Sequence, residues 1–64
     1  MKIEEVQLYK KRYRGSKVAF NSRRGVGKII KGIATDVDRS LNVVILRDDD
    51  NFPHCVTLLS LEEI

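Results

Sequence analysis

The chain has one cysteine and one histidine, and this scarcity removes two classes of protein. A lone Cys55 forms no disulfide within the chain. Together with His54 it falls short of the four ligands of a structural zinc site. A single unpaired thiol fits a reducing compartment. Long apolar runs are also missing. The longest is Val43-Val44-Ile45-Leu46, against the roughly 20 residues that a membrane-spanning helix needs. Met1 to Gly15 is charged throughout and lacks the apolar centre of a secretion signal. The expectation from these absences is a cytoplasmic chain that makes no use of a membrane.

Catalytic and cofactor signatures are scarce in the same way. Gly25-Val26-Gly27-Lys28 invites a phosphate-loop reading. That loop needs a glycine five residues before its Gly-Lys pair and Ser or Thr after it, and Ser22 and Ile29 occupy those positions. A hairpin turn explains the segment better. Asp48-Asp49-Asp50-Asn51 lacks the spacing and distal glutamate of a calcium loop and reads as a solvated acidic turn. His54 and Cys55 are adjacent, so a strand sends them to opposite faces, where they cannot act as nucleophile and base. Cys55 then reads as a small core residue and His54 as a surface one. No carboxylate pair, serine triad or cofactor fingerprint can be assembled. An enzyme would have to build its pocket between subunits. The expected protein is non-enzymatic and uses no metal or cofactor.

What the chain does have is charge, unevenly placed. Residues 1–31 carry ten Lys/Arg against two acids, a net +8, and residues 32–64 carry two against seven, a net −5. Such asymmetry suggests a basic surface for an anionic partner. At 64 residues there is room for one domain, residues 1–64, which buries only about 60% of the surface its unfolded chain exposes. Pairing into a homodimer or higher oligomer is one route by which so short a chain gains buried area.

The apolar pattern predicts a mainly β domain. Residues 3–14 read two ways. As a helix, Ile3, Val6, Tyr9 and Tyr13 share an arc of ~120°, with Gly15 as C-cap. As an extended arm, Val6 and Leu8 share one face and Tyr9 and Tyr13 the other. The helix is the expected form. From Lys17 the period becomes that of a strand, with Val18 and Phe20 inward, and Ser22 to Gly25 makes a turn. Residues 28–37 predict a strand bent at Gly32, where a bulge would bring Ile30, Ile33, Thr35 and Val37 to one face. Asp38-Arg39-Ser40 is a turn, Leu41 to Leu46 a central strand, 48–53 a loop and Cys55 to Leu59 another strand. Residues 60–64 form a 3₁₀ turn and a short closing strand. The expected core is Val18, Phe20, Ile30, Ile33, Val43, Ile45, Val56 and Leu58. Four to five short antiparallel strands of this kind suit a small barrel that leaves few sheet edges.

Over residues 15–64 the chain resembles the SH3-like small barrels, in particular the KOW and Tudor-like members. The resemblance rests on the opening Gly15-Ser16-Lys17-Val18-Ala19-Phe20, the basic turn Arg23-Arg24-Gly25-Val26-Gly27-Lys28, and Ile30-Lys31-Gly32-Ile33 running to an acidic turn. Val43-Val44-Ile45-Leu46 and the closing Val56 to Ile64 complete it. It implies a barrel over 15–64 preceded by a basic segment, 1–14. It also implies binding rather than chemistry: contacts with RNA, ribosomes or RNA polymerase for KOW-like domains, with peptides or nucleic acid for Tudor-like ones. A cage for methylated lysine or arginine needs several aromatics, and the barrel region holds only Phe20 and Phe52.

The candidate nucleic-acid contacts are Lys10, Lys11, Arg12, Tyr13 and Arg14, extended by Arg23, Arg24, Lys28 and Lys31. Cations neutralise phosphates and release counterions, and tyrosine faces can stack on bases. The partner expected is RNA or DNA, held mainly through phosphate. The alternative is a protein-interaction module that binds an acidic protein surface or a second copy of itself.

Overall fold

Strong β-formers dominate the stretch after Lys28, and they make one long strand that organises the rest. The computed structural model describes residues 1–17 and 28–64. Its five strands are β1 (Arg12–Ser16), β2 (Ile29–Asp38), β3 (Val43–Arg47), β4 (Pro53–Thr57) and β5 (Glu62–Glu63). They lie antiparallel in one sheet, in the order β4-β3-β2-β1-β5. The protein is mainly β, as its apolar alternation predicts. Short 3₁₀ turns at Ile3–Glu5 and Leu58–Ser60 are the remaining regular elements among the described residues.

β2 serves two partners. Its first half, from Ile29 to Ile33, pairs with β1, and its second half, from Ile33 to Asp38, pairs with β3. Ile33 is the shared position, opposite both Arg12 and Arg47. The sheet curls far enough for Lys17 to bridge to Val56 at the end of β4. Ser60 fastens this meeting. Its hydroxyl accepts the Ser16 N–H at 2.8 Å and the Thr57 hydroxyl at 2.6 Å, and donates to the Thr57 carbonyl at 2.9 Å. The ladders do not close into a complete barrel among the described residues, because β1 and β4 meet only at that bridge.

The bulge falls three residues later than its expected place. Alternation continues unbroken through Gly32, with Ile30, Gly32 and Ala34 inward and Ile29, Lys31 and Ile33 outward. The register shifts between Ala34 and Asp36 instead. Ile33 is therefore 37% exposed rather than buried, and Val37 beyond the bulge returns to pack on the core. Gly32 has a different task. A Cβ there would collide with the Arg47 carbonyl, lying 2.7 Å from its carbon and 3.2 Å from the Asp48 nitrogen. Glycine lets β2 and β3 approach closely where β2 changes partners.

The N-terminal segment is not helical beyond its first turn. Tyr9 takes a left-handed conformation with φ 63°, which interrupts a right-handed helix, and its N–H donates to the Ala34 carbonyl at 2.7 Å. The chain then enters the sheet as β1, so Arg12, Tyr13 and Arg14 are strand residues. Tyr13 is 1% exposed, and its hydroxyl accepts the Gln7 N–H at 3.0 Å. Around it pack Val6, Ile30, Ala34, Val44, Leu46, Val56 and Leu61, with Leu8, Val37 and Leu58 partly buried against them. Burying a valine or leucine of this kind stabilises by about 1.5–3 kcal/mol. Val43, Ile30 and Val56 are buried as the pattern requires. Ile45 is only half-buried, its place in the core taken by Val44 and Leu46. The expected core residues Val18 and Phe20, and the turn 22–25, lie outside the described residues.

The closing elements also shift by a few positions. The 3₁₀ turn occupies Leu58–Ser60 and the last strand Glu62–Glu63. His54 and Cys55 exchange their expected places. His54 is opposite Leu46, on the core side of β4, whereas Cys55 is opposite Ile45 on the outer side.

Candidate nucleic-acid interface

Strand alternation sorts the basic residues before any side chain is considered. Tyr13 and Gly15 face the core from β1, so Arg12 and Arg14 face outward. In the antiparallel ladder Arg14 is opposite Lys31, and Arg12 is opposite Ile33. Directly opposed residues have Cα atoms only ~4.5–5.5 Å apart, so Arg14 and Lys31 are lateral neighbours on one outer face. Ile29, 56% exposed, shares this face. An open depression of about 370 Å³ lies between Arg14, Gly15, Ser16, Ile29, Ser60 and Glu62. The pattern expected Ile33 in the core, and its exposure follows from the later position of the bulge.

The acidic C-terminal residues return to the basic strand. β5 pairs with β1 and sets Glu62 opposite Arg14. Glu62 Oε2 accepts from Arg14 Nε at 2.9 Å and from Nη2 at 2.7 Å. Lys11 Nζ lies 2.9 Å from Glu63 Oε1. That hydrogen bond, with the glutamate's charge, holds the Lys11 pKa above the ordinary lysine value. Arg12 reaches Asp49 at 3.5 Å. The cations of the run 10–14 are thus matched by carboxylates from the other half of the chain, with Lys10 the exception. All these pairs are largely exposed, and such pairs contribute little to stability.

A different group of cations is unmatched. Lys10, Lys17, Lys28 and Lys31 are exposed, and among the described residues none has a carboxylate partner within ion-pair distance. Lys17 and Lys28 form the base of the β1–β2 connection, where the Lys17 N–H donates to the Lys28 carbonyl at 2.8 Å. Residues 17–31 contain five Lys/Arg and no Asp or Glu. Arg23 and Arg24 belong to this stretch of sequence and lie outside the described residues. Tyr13 does not belong to an interface of this kind. Its burial in the core removes the ring faces that base stacking would use.

The acidic β3–β4 loop is organised by its first residue. Asp48 Oδ1 accepts the N–H groups of Asp50 at 2.9 Å and Phe52 at 3.0 Å, and Oδ2 lies 2.7 Å from His54 Nε2. Arg47 donates to the Asn51 carbonyl at 2.8 Å, and Asn51 takes φ 65° to close the turn. The bond to His54, followed by the backbone N–H of Phe52, holds the Asp48 carboxyl below its ordinary pKa. A depressed folded-state pKa means that the stabilisation is fully present above the unfolded carboxylate value of ~3.9. It is lost as pH falls through the lower folded value. Asp48→Asn should therefore flatten the decline in melting temperature below about pH 4. An unchanged acid limb in thermal melts would refute this role for Asp48.

Partial burial first, then the charge of Asp38, pushes the Cys55 thiol pKa up, away from the reactive thiolate. Among the described residues no helix is long and apolar enough to cross a membrane. Compared with protein-family models, with curated proteins and with solved structures, the chain matches none, so its function has to be read from its own residues.

Proposed function

We propose that this chain is a small non-enzymatic module that binds RNA or DNA, mainly through phosphate, using the β1–β2 connection and the strand ends that carry it. The observation behind this reading is the division among the cations. Lys11, Arg12 and Arg14 have carboxylate partners, whereas Lys17, Lys28 and Lys31 are exposed without one among the described residues. Arg23 and Arg24 add two more charges to the same acid-free stretch. Phosphate is a good counter-charge for such a group, and release of condensed counterions drives the association. The resemblance of residues 15–64 to SH3-like small barrels of the KOW or Tudor-like kind, carried by the sequence pattern, fits this reading. An unpaired Cys55 suits the reducing cytoplasm.

Titrations against duplex DNA and structured RNA at several salt concentrations test the reading. With up to five phosphate contacts, log K should fall against log salt with a slope of about −4 to −5 for duplex DNA. Lys28→Ala with Lys31→Ala should flatten it by about 1.8, and the fold should be unchanged. Absence of binding at low salt, or a slope indifferent to these changes, would remove the nucleic-acid reading. The exposed Ile29 and Ile33 beside Lys31 favour, as a second reading, a module for an acidic protein surface or for a second copy of the chain. Under that reading, Ile33→Asp abolishes association and nucleic acid has no effect.

A further inference from the structure

We propose that β5 is an acidic strap that masks part of the phosphate-contacting face, with Glu62 holding Arg14 away from nucleic acid. The inference rests on the nucleic-acid reading above and adds an autoinhibitory contact to it. Three adjacent strands carry a single lateral row: Glu62 on β5, Arg14 on β1 and Lys31 on β2. Lys31 has no carboxylate partner among the described residues, while Arg14, its direct neighbour, gives two hydrogen bonds to one oxygen of Glu62. Glu63 is opposite Tyr13 and engages Lys11 at 2.9 Å, outside this row. The row would otherwise continue the exposed cation Lys31 across to β1.

The strap is also slight. β5 has only two residues, both exposed. The side chains of Arg14 and Glu62 are 53% and 62% exposed, and those of Lys11 and Glu63 are 39% and 49%. Pairs this open to water and salt are weakly held. Removing the Glu62 carboxylate leaves Arg14 at the surface, where a phosphate can take the vacated position. The backbone pairing of β5 with β1, and the Ile64 N–H bond to the Arg12 carbonyl at 3.1 Å, do not depend on the glutamate charge. A neutral glutamine can therefore replace the acid with the strand in place.

The test compares wild type, Glu62→Gln, Glu63→Gln and Glu62→Gln/Arg14→Ala, each titrated with duplex DNA at several salt concentrations. Thermal melting of each variant checks that it is folded. Glu62→Gln should bind more tightly, by roughly eightfold at about 0.1 M salt, and its salt slope should steepen by about 0.9. Glu63→Gln, the same change of charge outside the row, should have less effect. Adding Arg14→Ala to Glu62→Gln should cancel the gain. Affinity and slope unchanged by Glu62→Gln overturn the strap. So does a gain that survives loss of Arg14 or is matched by Glu63→Gln, because the effect is then one of overall charge. If Lys28→Ala/Lys31→Ala flattens the wild-type slope while Glu62→Gln does nothing, the strap fails alone. If wild type binds at no salt concentration, both readings fail.

Discussion

Gly32→Ala should destabilise the protein by about 3 kcal/mol or more, a large share of the roughly 3–10 kcal/mol expected for a domain of this size. The added methyl would meet backbone, the carbonyl of Arg47 and the nitrogen of Asp48, and backbone cannot rotate aside as a side chain can. The collision falls where β2 passes from β1 to β3, so relief requires opening the β2–β3 ladder at its junction. Thermal unfolding should shift down by ~12–24 °C. Gly15→Ala is the control. A Cβ there would lie 3.1 Å from the Val56 side chain and 3.3 Å from Ser60 Oγ, contacts that small side-chain shifts can relieve. It should cost only about 1 kcal/mol. Equal losses at the two glycines would show that the close approach at Arg47 is not what demands glycine.

Tyr13→Ala should cost about 3–5 kcal/mol, the range for removing a buried aromatic ring. Tyr13 is among the largest fully buried side chains of the described structure and touches a core drawn from both ends of the chain. Tyr13→Phe should cost about 0.5–1.5 kcal/mol, since it takes away the acceptor for the Gln7 N–H and little else. Denaturant titrations of the two variants separate ring from hydroxyl. The result also bears on function. If Tyr13 stacked on bases, Tyr13→Ala would weaken single-strand binding with the melting temperature unchanged. Its burial leads to the opposite expectation: lost stability, with phosphate binding intact in whatever fraction remains folded.

Local pattern carried much of this fold. The strands within 28–37 and 41–46, the turn at Asp38-Arg39-Ser40 and the acidic loop at Asp48 were legible because strand propensity and turn chemistry act over a few residues. The final 3₁₀ turn and short strand were legible for the same reason. Parity was less secure. Moving the bulge from Gly32 to Thr35 exposes Ile33, because strand side chains change sides at every residue. In β4 the inward Val56 already puts His54 on the core side and Cys55 on the outer one, so residue chemistry misled where alternation did not. The helix expected over 3–14 failed for a related reason. Val6 and Tyr13 are both buried, as a helical stripe would also have them. They meet through a chain reversal at Tyr9, whose positive φ no periodicity announces.

The amino-acid sequence by itself determined that this is a small, mainly β chain, that one thiol and one imidazole cannot supply the four ligands of a Cys/His zinc site, and that basic residues crowd its first half. Whether that crowding becomes a basic surface was decided only in the tertiary structure. β5 returns to β1 and brings Glu62 and Glu63 to Arg14 and Lys11, and the β3–β4 loop brings Asp49 to Arg12. The split of +8 and −5 along the chain is thereby largely cancelled around β1. Lys17, Lys28 and Lys31, at and beyond the β1–β2 connection, are left without carboxylate partners among the described residues, as is Lys10 before β1. Charge along a sequence sums over neighbours in the chain, whereas the field at a surface sums over neighbours in space, and strand pairing is what exchanges one set of neighbours for the other.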